Sequence, residues 1–283
     1  MSTPSFDPRL SELIADAHWL RACVERYARP RHFARDEAAN RSIGEELSDS
    51  LSMYGYRVSR QGPYRNVIAV PEGASRTRAL ICAHYDAAEH SPGADDDASG
   101  LAALLATARA LDELGVRDVA FALFNAEDED LLGSHDFVRS GMRELPEPPS
   151  EAHYLSMIGY RSSAPGSQRS PLPTWWPSPT VGDFLALIGT ESAAERVQEI
   201  VELASEPAVA RRAFRVWGPA RRSGRARSRS EHAALAESDI PSILWTDTGE
   251  HRNPDCHGPG DVPESLDYEF LRGVTSLLVA SLA

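Results

Sequence analysis

Lysine is absent from this 283-residue chain, so all 29 of its lysine-plus-arginine positions are arginine, which we read as genome composition rather than mechanism. Cysteine is scarce: Cys23, Cys82 and Cys256 form no CxxC and no paired spacing, which excludes a disulfide framework and fits a reducing compartment. The first twenty residues lack the basic-then-apolar order of a leader, and no apolar run is long enough to span a bilayer. We therefore expect a cytoplasmic protein with no membrane partner. Positive charge is also in deficit: the net charge of -13 argues against a nucleic-acid partner. There are no internal repeats, no Gly-rich phosphate loop and no GxSxG elbow, and nothing supports a Ser/His/Asp triad. What remains is ordinary for a globular protein, 42% hydrophobic and 25% charged, and enough chain for one large α/β domain over 1–283.

The chain is organised around residues 79–103. Ala79-Leu80-Ile81-Cys82-Ala83 is an apolar run suited to one buried strand. His84 and Asp86 follow at its end, then a loop with Pro92, Gly93 and the carboxylates Asp95, Asp96 and Asp97. Leu101, Leu104, Leu105, Ala108 and Leu111 recur at helical spacing. Histidine and carboxylates thus gather on a strand-to-helix loop, where open α/β sheets place their sites. The alternative is that the acids only favour a helix N-terminus. One aspartate would serve for that, whereas three repel one another unless a cation or solvent screens them.

Before this stretch, helices are expected over 9–28 and 36–53, and strands over 56–59 and 66–70. His32 has no partner at ligand spacing and reads as a surface or substrate-side residue. After it, Val119 to Phe124 is a second buried strand, ending in the acidic run Asn125-Ala126-Glu127-Asp128-Glu129-Asp130. A single such run is commonly a solvated loop. Beside the first acidic loop it suggests that one acid binds a metal while its neighbour moves a proton. A strand over 153–158, a helix over 183–205, a strand over 242–245 and a closing helix over 268–282 complete the expectation. Residues 161–181 are rich in Pro, Ser and Gly and read as a long loop over the site. Its Trp175 and Trp176 suit an apolar substrate group or pin the loop to the core. The segment 211–229 holds eight arginines, a local basic patch read as solvated or as a grip on an anionic substrate.

The motifs HYD, PGADDDASG, NAEDEDLLGS, MIGY with PGSQ, SEHAALAESDIP, and RNPDCH with DVPESLDY occur in an order that resembles the M28 zinc aminopeptidases and, more distantly, the glutaminyl cyclases. The resemblance implies a three-layer α/β/α sandwich with a mixed, largely parallel sheet, two zinc ions bridged by a carboxylate, and removal of N-terminal residues from small peptides or aminoacyl amides. It implies His84 as a ligand of the first zinc with Asp86 orienting its ring, and Asp96 as the bridge. Glu127 is implied as general base, and Asp128 and His257 as ligands of the second zinc. Ser156 stands where the family places an acidic ligand, and Cys256 where a tyrosine often steadies the oxyanion. With Arg252, Trp175 and Trp176 these complete the expected substrate side. The first zinc keeps His84 and a share of Asp96, the second a full three-ligand set. One tight zinc is expected, the second weak or absent unless Ser156 or its neighbour His153 substitutes. Three functions follow as expectations: a zinc-dependent amidase or peptidase, a single-zinc acyltransferase or cyclase, and a binding protein on a peptidase fold.

Overall fold

The computed structural model describes residues 16–169, 179–205, 215–217 and 233–283. Its strands are β1 (Tyr56–Gln61), β2 (Asn66–Pro71), β3 (Ala79–His84), β4 (Val119–Phe124), β5 (Glu151–Leu155), β6 (Phe184–Gly189), β7 (Arg215–Trp217) and β8 (Ser242–Thr246). They form one mixed sheet in the order β1-β2-β4-β3-β5-β8-β6-β7. The four middle strands, β4, β3, β5 and β8, run parallel. Antiparallel pairings of β2 with β4 and of β6 with β8 flank them. The parallel strands therefore end on one common edge, and both acidic loops lie there.

The helices are α1 (Ala17–Tyr27), α2 (Glu37–Met53), α3 (Gly100–Glu113), α4 (Leu132–Ser140), α5 (Ala194–Ser205), α6 (Ala233–Glu237) and α7 (Tyr268–Leu282). Alternation along the strands divides the core in two. Ala79, Ile81 and Ala83 of β3 face one cluster, with Leu20 of α1, Ile43 of α2, Leu104 of α3, Ile200 of α5 and Leu277 of α7. Leu80 and Cys82 face the other, with Phe137 of α4 and Leu235 of α6. The expected α/β/α sandwich is thus present, and β3 and β4, buried at every position, show why their sequences read as unbroken apolar runs.

Local signals place the ends. Asp16 accepts the amide of Trp19 at 2.7 Å and opens α1, and Asp267 accepts that of Phe270 at 2.9 Å and opens α7. Each fully buried leucine on these faces contributes roughly 1.5–3 kcal/mol. Expectation and structure part at residues 183–205. Phe184–Gly189 is a strand, not the start of a helix, because six consecutive apolar residues fit between β8 and β7, and the helix begins only at Ala194. The strand expected over 153–158 stops at Leu155, and Met157 turns into the left-handed region at φ 50°.

Candidate metal centre

Three consecutive aspartates after β3 have three separate tasks. Asp97 does what a helix N-terminus asks: its Oδ1 accepts the Gly100 amide at 3.2 Å. Its Oδ2 accepts the His84 amide at 3.1 Å, tying the helix start to the strand end. Asp95 turns away and accepts the Gly159 amide at 2.9 Å. Only Asp96 faces the cleft. The Asp96–Asp97 peptide is cis. Asp261 accepts the amides of Asp95 and Asp96 at 2.8 and 3.1 Å, fixing the loop from the far side. Gly93 permits the turn: at φ 64° a side chain would meet the Asp96 carbonyl at 2.3 Å.

Asp96 lies between two imidazoles. His84 Nε2 is 3.0 Å from its Oδ1, and His257 Nε2 is 2.9 Å from its Oδ2. The second approach lacks hydrogen-bond alignment, so Oδ2, in a residue only 2% exposed, makes no hydrogen bond among the described residues. Asp86 Oδ1 stands 3.4 Å behind His84 Nδ1, and its Oδ2 accepts the Asp128 amide at 3.2 Å. Donor atoms of His84, Asp86 and Asp128 form one group within 4.8 Å, and those of Asp96, Cys256 and His257 form another.

Glu127 is buried where β4 turns into α4. Its Oε1 accepts the Ser134 amide at 2.7 Å, and the Tyr154 hydroxyl donates to Oε2 at 3.2 Å. Burial, aided by the charge of Asp86, pushes its pKa up to about 8. Burial and the charges of Asp96 and Asp86 likewise raise Asp128 to about 8. Burial also works to raise Asp96, yet the two positively charged imidazoles of His257 and His84 beside it hold its carboxyl well below the usual range. His257 rises to about 11, chiefly through Asp96. The site is thus a concentration of negative charge relieved by two imidazolium ions, where a divalent cation could take their place.

The strand register places Ser156. Cys82 pairs with Tyr154, so two residues on Ser156 stands level with His84 and on the same face. Its Oγ is buried and has no hydrogen-bond partner among the described residues. His153 is turned to the other face. Its Nδ1 accepts the Trp245 indole N–H at 3.0 Å and its Nε2 faces Glu151 at 3.4 Å, so it cannot stand in as a ligand. His32 is not a surface residue: it is 8% exposed, and its Nδ1 accepts the amides of Ala34 and Arg35. Its Nε2 meets Glu129 at 3.1 Å on the acidic rim.

Arg252, 5% exposed, is a strut. Its Nε donates to Gln168 Oε1 at 2.9 Å and its Nη1 to the Phe184 carbonyl at 2.7 Å, with its guanidinium over the Phe184 ring. The stem of the long loop is thereby tied beside the site, while Trp175 and Trp176 lie outside the described residues. So does the Arg-rich segment, except the β7 backbone at Arg215–Trp217.

Sequence reading missed Arg31, which has no motif around it. Its buried guanidinium donates to the carbonyls of Tyr85, Tyr27 and Gly93 at 3.1, 3.1 and 2.9 Å. It binds α1 to both ends of the metal loop. Asp247 was missed too, as the carboxyl that hydrogen-bonds Asp95 and anchors the Tyr160 amide at 2.8 Å.

Residues 66–282 match the profile of Peptidase family M28, and the chain belongs to that family. An uncharacterized protein of Escherichia coli K12, YfbL, is 34% identical over 277 residues, covering 89% of this chain and 82% of its own. Aminopeptidase YwaD of Bacillus subtilis is 37% identical over 81 residues, a local match of 28% of this chain and 18% of that enzyme. Among solved structures, the LapA aminopeptidase of Legionella pneumophila superposes with a TM-score of 0.74 at 19% identity, covering all of this chain and 76% of LapA. The glutaminyl cyclase of Porphyromonas gingivalis superposes at 0.72 and 20% identity over 96% of this chain and 98% of its own. At such identities the likeness is one of fold. No helix among the described residues is long and apolar enough to cross a membrane.

Proposed function

We propose that the protein is a zinc-dependent hydrolase of amide or peptide bonds acting on small peptides or aminoacyl amides. The observation that carries this is the Asp96 carboxylate set between His84 and His257, with one oxygen left without a hydrogen bond in a buried, acid-rich cleft. Imidazole with hard carboxylates suits zinc. Asp96 and His257 would hold the tighter ion, with Asp128, whose carboxylate groups with His84 and Asp86 in the metal-free cleft, as the further ligand the family resemblance implies. His84, oriented by Asp86, would border a second position left short of charge by Ser156. A zinc ion bound there supplies Lewis-acid polarisation of the amide carbonyl and a lowered pKa for water.

The chain's own residues do the rest. Glu127 takes the proton of the attacking water on its carboxylate and returns it to the leaving amine. Tyr154 and the Ser134 amide hold that carboxylate in one orientation. Gln168, at the stem of the loop, is held by Arg252 and Thr248.

The buried Ser156 hydroxyl favours a second reading, a single-zinc acyltransferase or cyclase in which a substrate amine attacks the polarised carbonyl. One experiment separates these. N-terminal aminoacyl amides and glutaminyl peptides are incubated with the wild-type and Glu127→Gln proteins, with zinc measured in both. Hydrolysis falling roughly 10²- to 10⁴-fold at unchanged zinc content is the expected result. A cyclised product would favour the transferase. Zinc binding with no turnover in either protein would leave a binding module.

A further inference from the structure

We propose that Cys256 is itself a metal ligand, its thiolate joining Asp96 and His257 in a mixed sulfur, nitrogen and oxygen set. This rests on the metallohydrolase reading of the site but assigns a donor that reading does not use.

Two observations carry it. The donor atoms of Asp96, Cys256 and His257 all lie within 4.8 Å of one another. In an extended chain, neighbouring side chains point to opposite faces. Here the backbone at His257 is left-handed, at φ 61°, in a turn closed by the Gly258 amide on the Asp255 carbonyl at 2.8 Å, and both side chains reach the same carboxylate. Independently, Asp96 Oδ2 is buried, makes no hydrogen bond among the described residues and points into this group. Its 2.9 Å separation from His257 Nε2 is near the roughly 3.3 Å expected of two ligands each about 2.0 Å from a tetrahedral zinc. The Cys256 sulfur otherwise meets the Met157 thioether at 3.6 Å, a weak acceptor.

Coordination replaces the S–H bond by a sulfur–metal bond and releases one proton to solvent. A soft donor turns the site toward zinc and away from magnesium or manganese.

Cobalt(II) reports on this directly. Metal-free wild-type protein titrated with Co²⁺ is expected to show visible d–d bands together with a near-ultraviolet thiolate-to-cobalt charge-transfer band. Cys256→Ser, still carrying Cys23 and Cys82, is expected to keep the d–d bands, lose the charge-transfer band and bind zinc at least about tenfold more weakly in chelator competition. Should that variant fail to fold, alkylation of the wild type serves instead: zinc is expected to protect Cys256 from iodoacetamide. Cobalt held with d–d bands but no charge-transfer band would overturn the thiolate assignment and leave the hydrolase reading standing. No bound cobalt would overturn both. Alkylation of Cys256 at the same rate with zinc bound would also overturn the assignment.

Discussion

Replacing Ser156 by aspartate sets a carboxylate level with His84, on the strand face that already carries the metal-site acids. The Ser156 hydroxyl is fully buried and makes no hydrogen bond among the described residues, so the new group inherits no partner. Asp86, Asp96 and Asp128 already crowd the cleft, and another buried carboxylate costs about 2–4 kcal/mol in the metal-free protein. Unfolding entropy near 2.1 cal/mol/K per residue, over 283 residues, is about 0.6 kcal/mol/K. The metal-free melting temperature is therefore expected to fall by about 3–7 °C. With zinc present the loss is largely offset, because the same carboxylate completes a second position beside His84. A second ion at about one hundred times its dissociation constant returns roughly 2.7 kcal/mol, or about 4–5 °C. Calorimetry with and without zinc, beside elemental analysis, reads both effects. The wild type is expected to retain about one zinc after mild chelation and the variant nearer two. A folded variant with the wild-type metal-free melting point and an unchanged zinc count in excess zinc would refute the placement of Ser156 at the metal edge.

Two further outcomes follow from the same geometry. Burial holds Glu127 at about 8 in the metal-free protein, and partial burial with the charges of Asp96 and Asp86 holds Asp128 there too, above their unfolded values near 4. The folded chain then keeps protons that the unfolded chain releases, so the contribution of these two groups to stability is fullest below pH about 4 and is lost as pH rises toward 8. The raised imidazoles of His84 and His257 act in the same direction above pH about 6.5. Metal-free melting temperature is expected to fall from about pH 5 to 8.5 while the increment from added zinc grows; a metal-free melting point that climbs across that window would contradict the assignment. Arg31→Met leaves the carbonyls of Tyr27, Tyr85 and Gly93 without their buried donor, at a cost of about 3–5 kcal/mol in urea unfolding. A loss below about 1 kcal/mol would show that water replaces the guanidinium.

Most of the site's chemistry could be read from one dimension because its groups are local to strand ends. The run Ala79 to Ala83, bounded by turn residues, reads as a buried strand, and His84, Glu127 and Asp128 lie within a few residues of where β3 and β4 end, with Asp96 twelve residues past His84 on the loop that follows. Their side chains cannot travel far from that edge. His257 was found through its motif. The helix expected over 183–205 failed where an apolar run is ambiguous: Phe184–Gly189 has no local feature that separates a buried strand from a buried helix, and only the vacancy between β8 and β7 decides.

The sequence by itself determined the buried strands that became β3 and β4 and the acidic loop at the end of each, because hydrophobic patterning is set by the order of residues along the chain; the three layers and the largely parallel sheet are expected from the family resemblance. The family resemblance singled out Asp96, but only the tertiary structure showed what Asp95 and Asp97 do. Asp95, Asp96 and Asp97 are the same residue three times, and no composition distinguishes them. The loop's backbone turns one to the Gly159 amide, one to the imidazoles and one to the Gly100 amide. It also brings Arg31 to the metal loop from more than fifty positions away, sends His153 into the core and sets Cys256 beside Asp96. Those assignments depend on directions of side chains across elements far apart in sequence, and such directions exist only once the sheet has fixed where each strand ends.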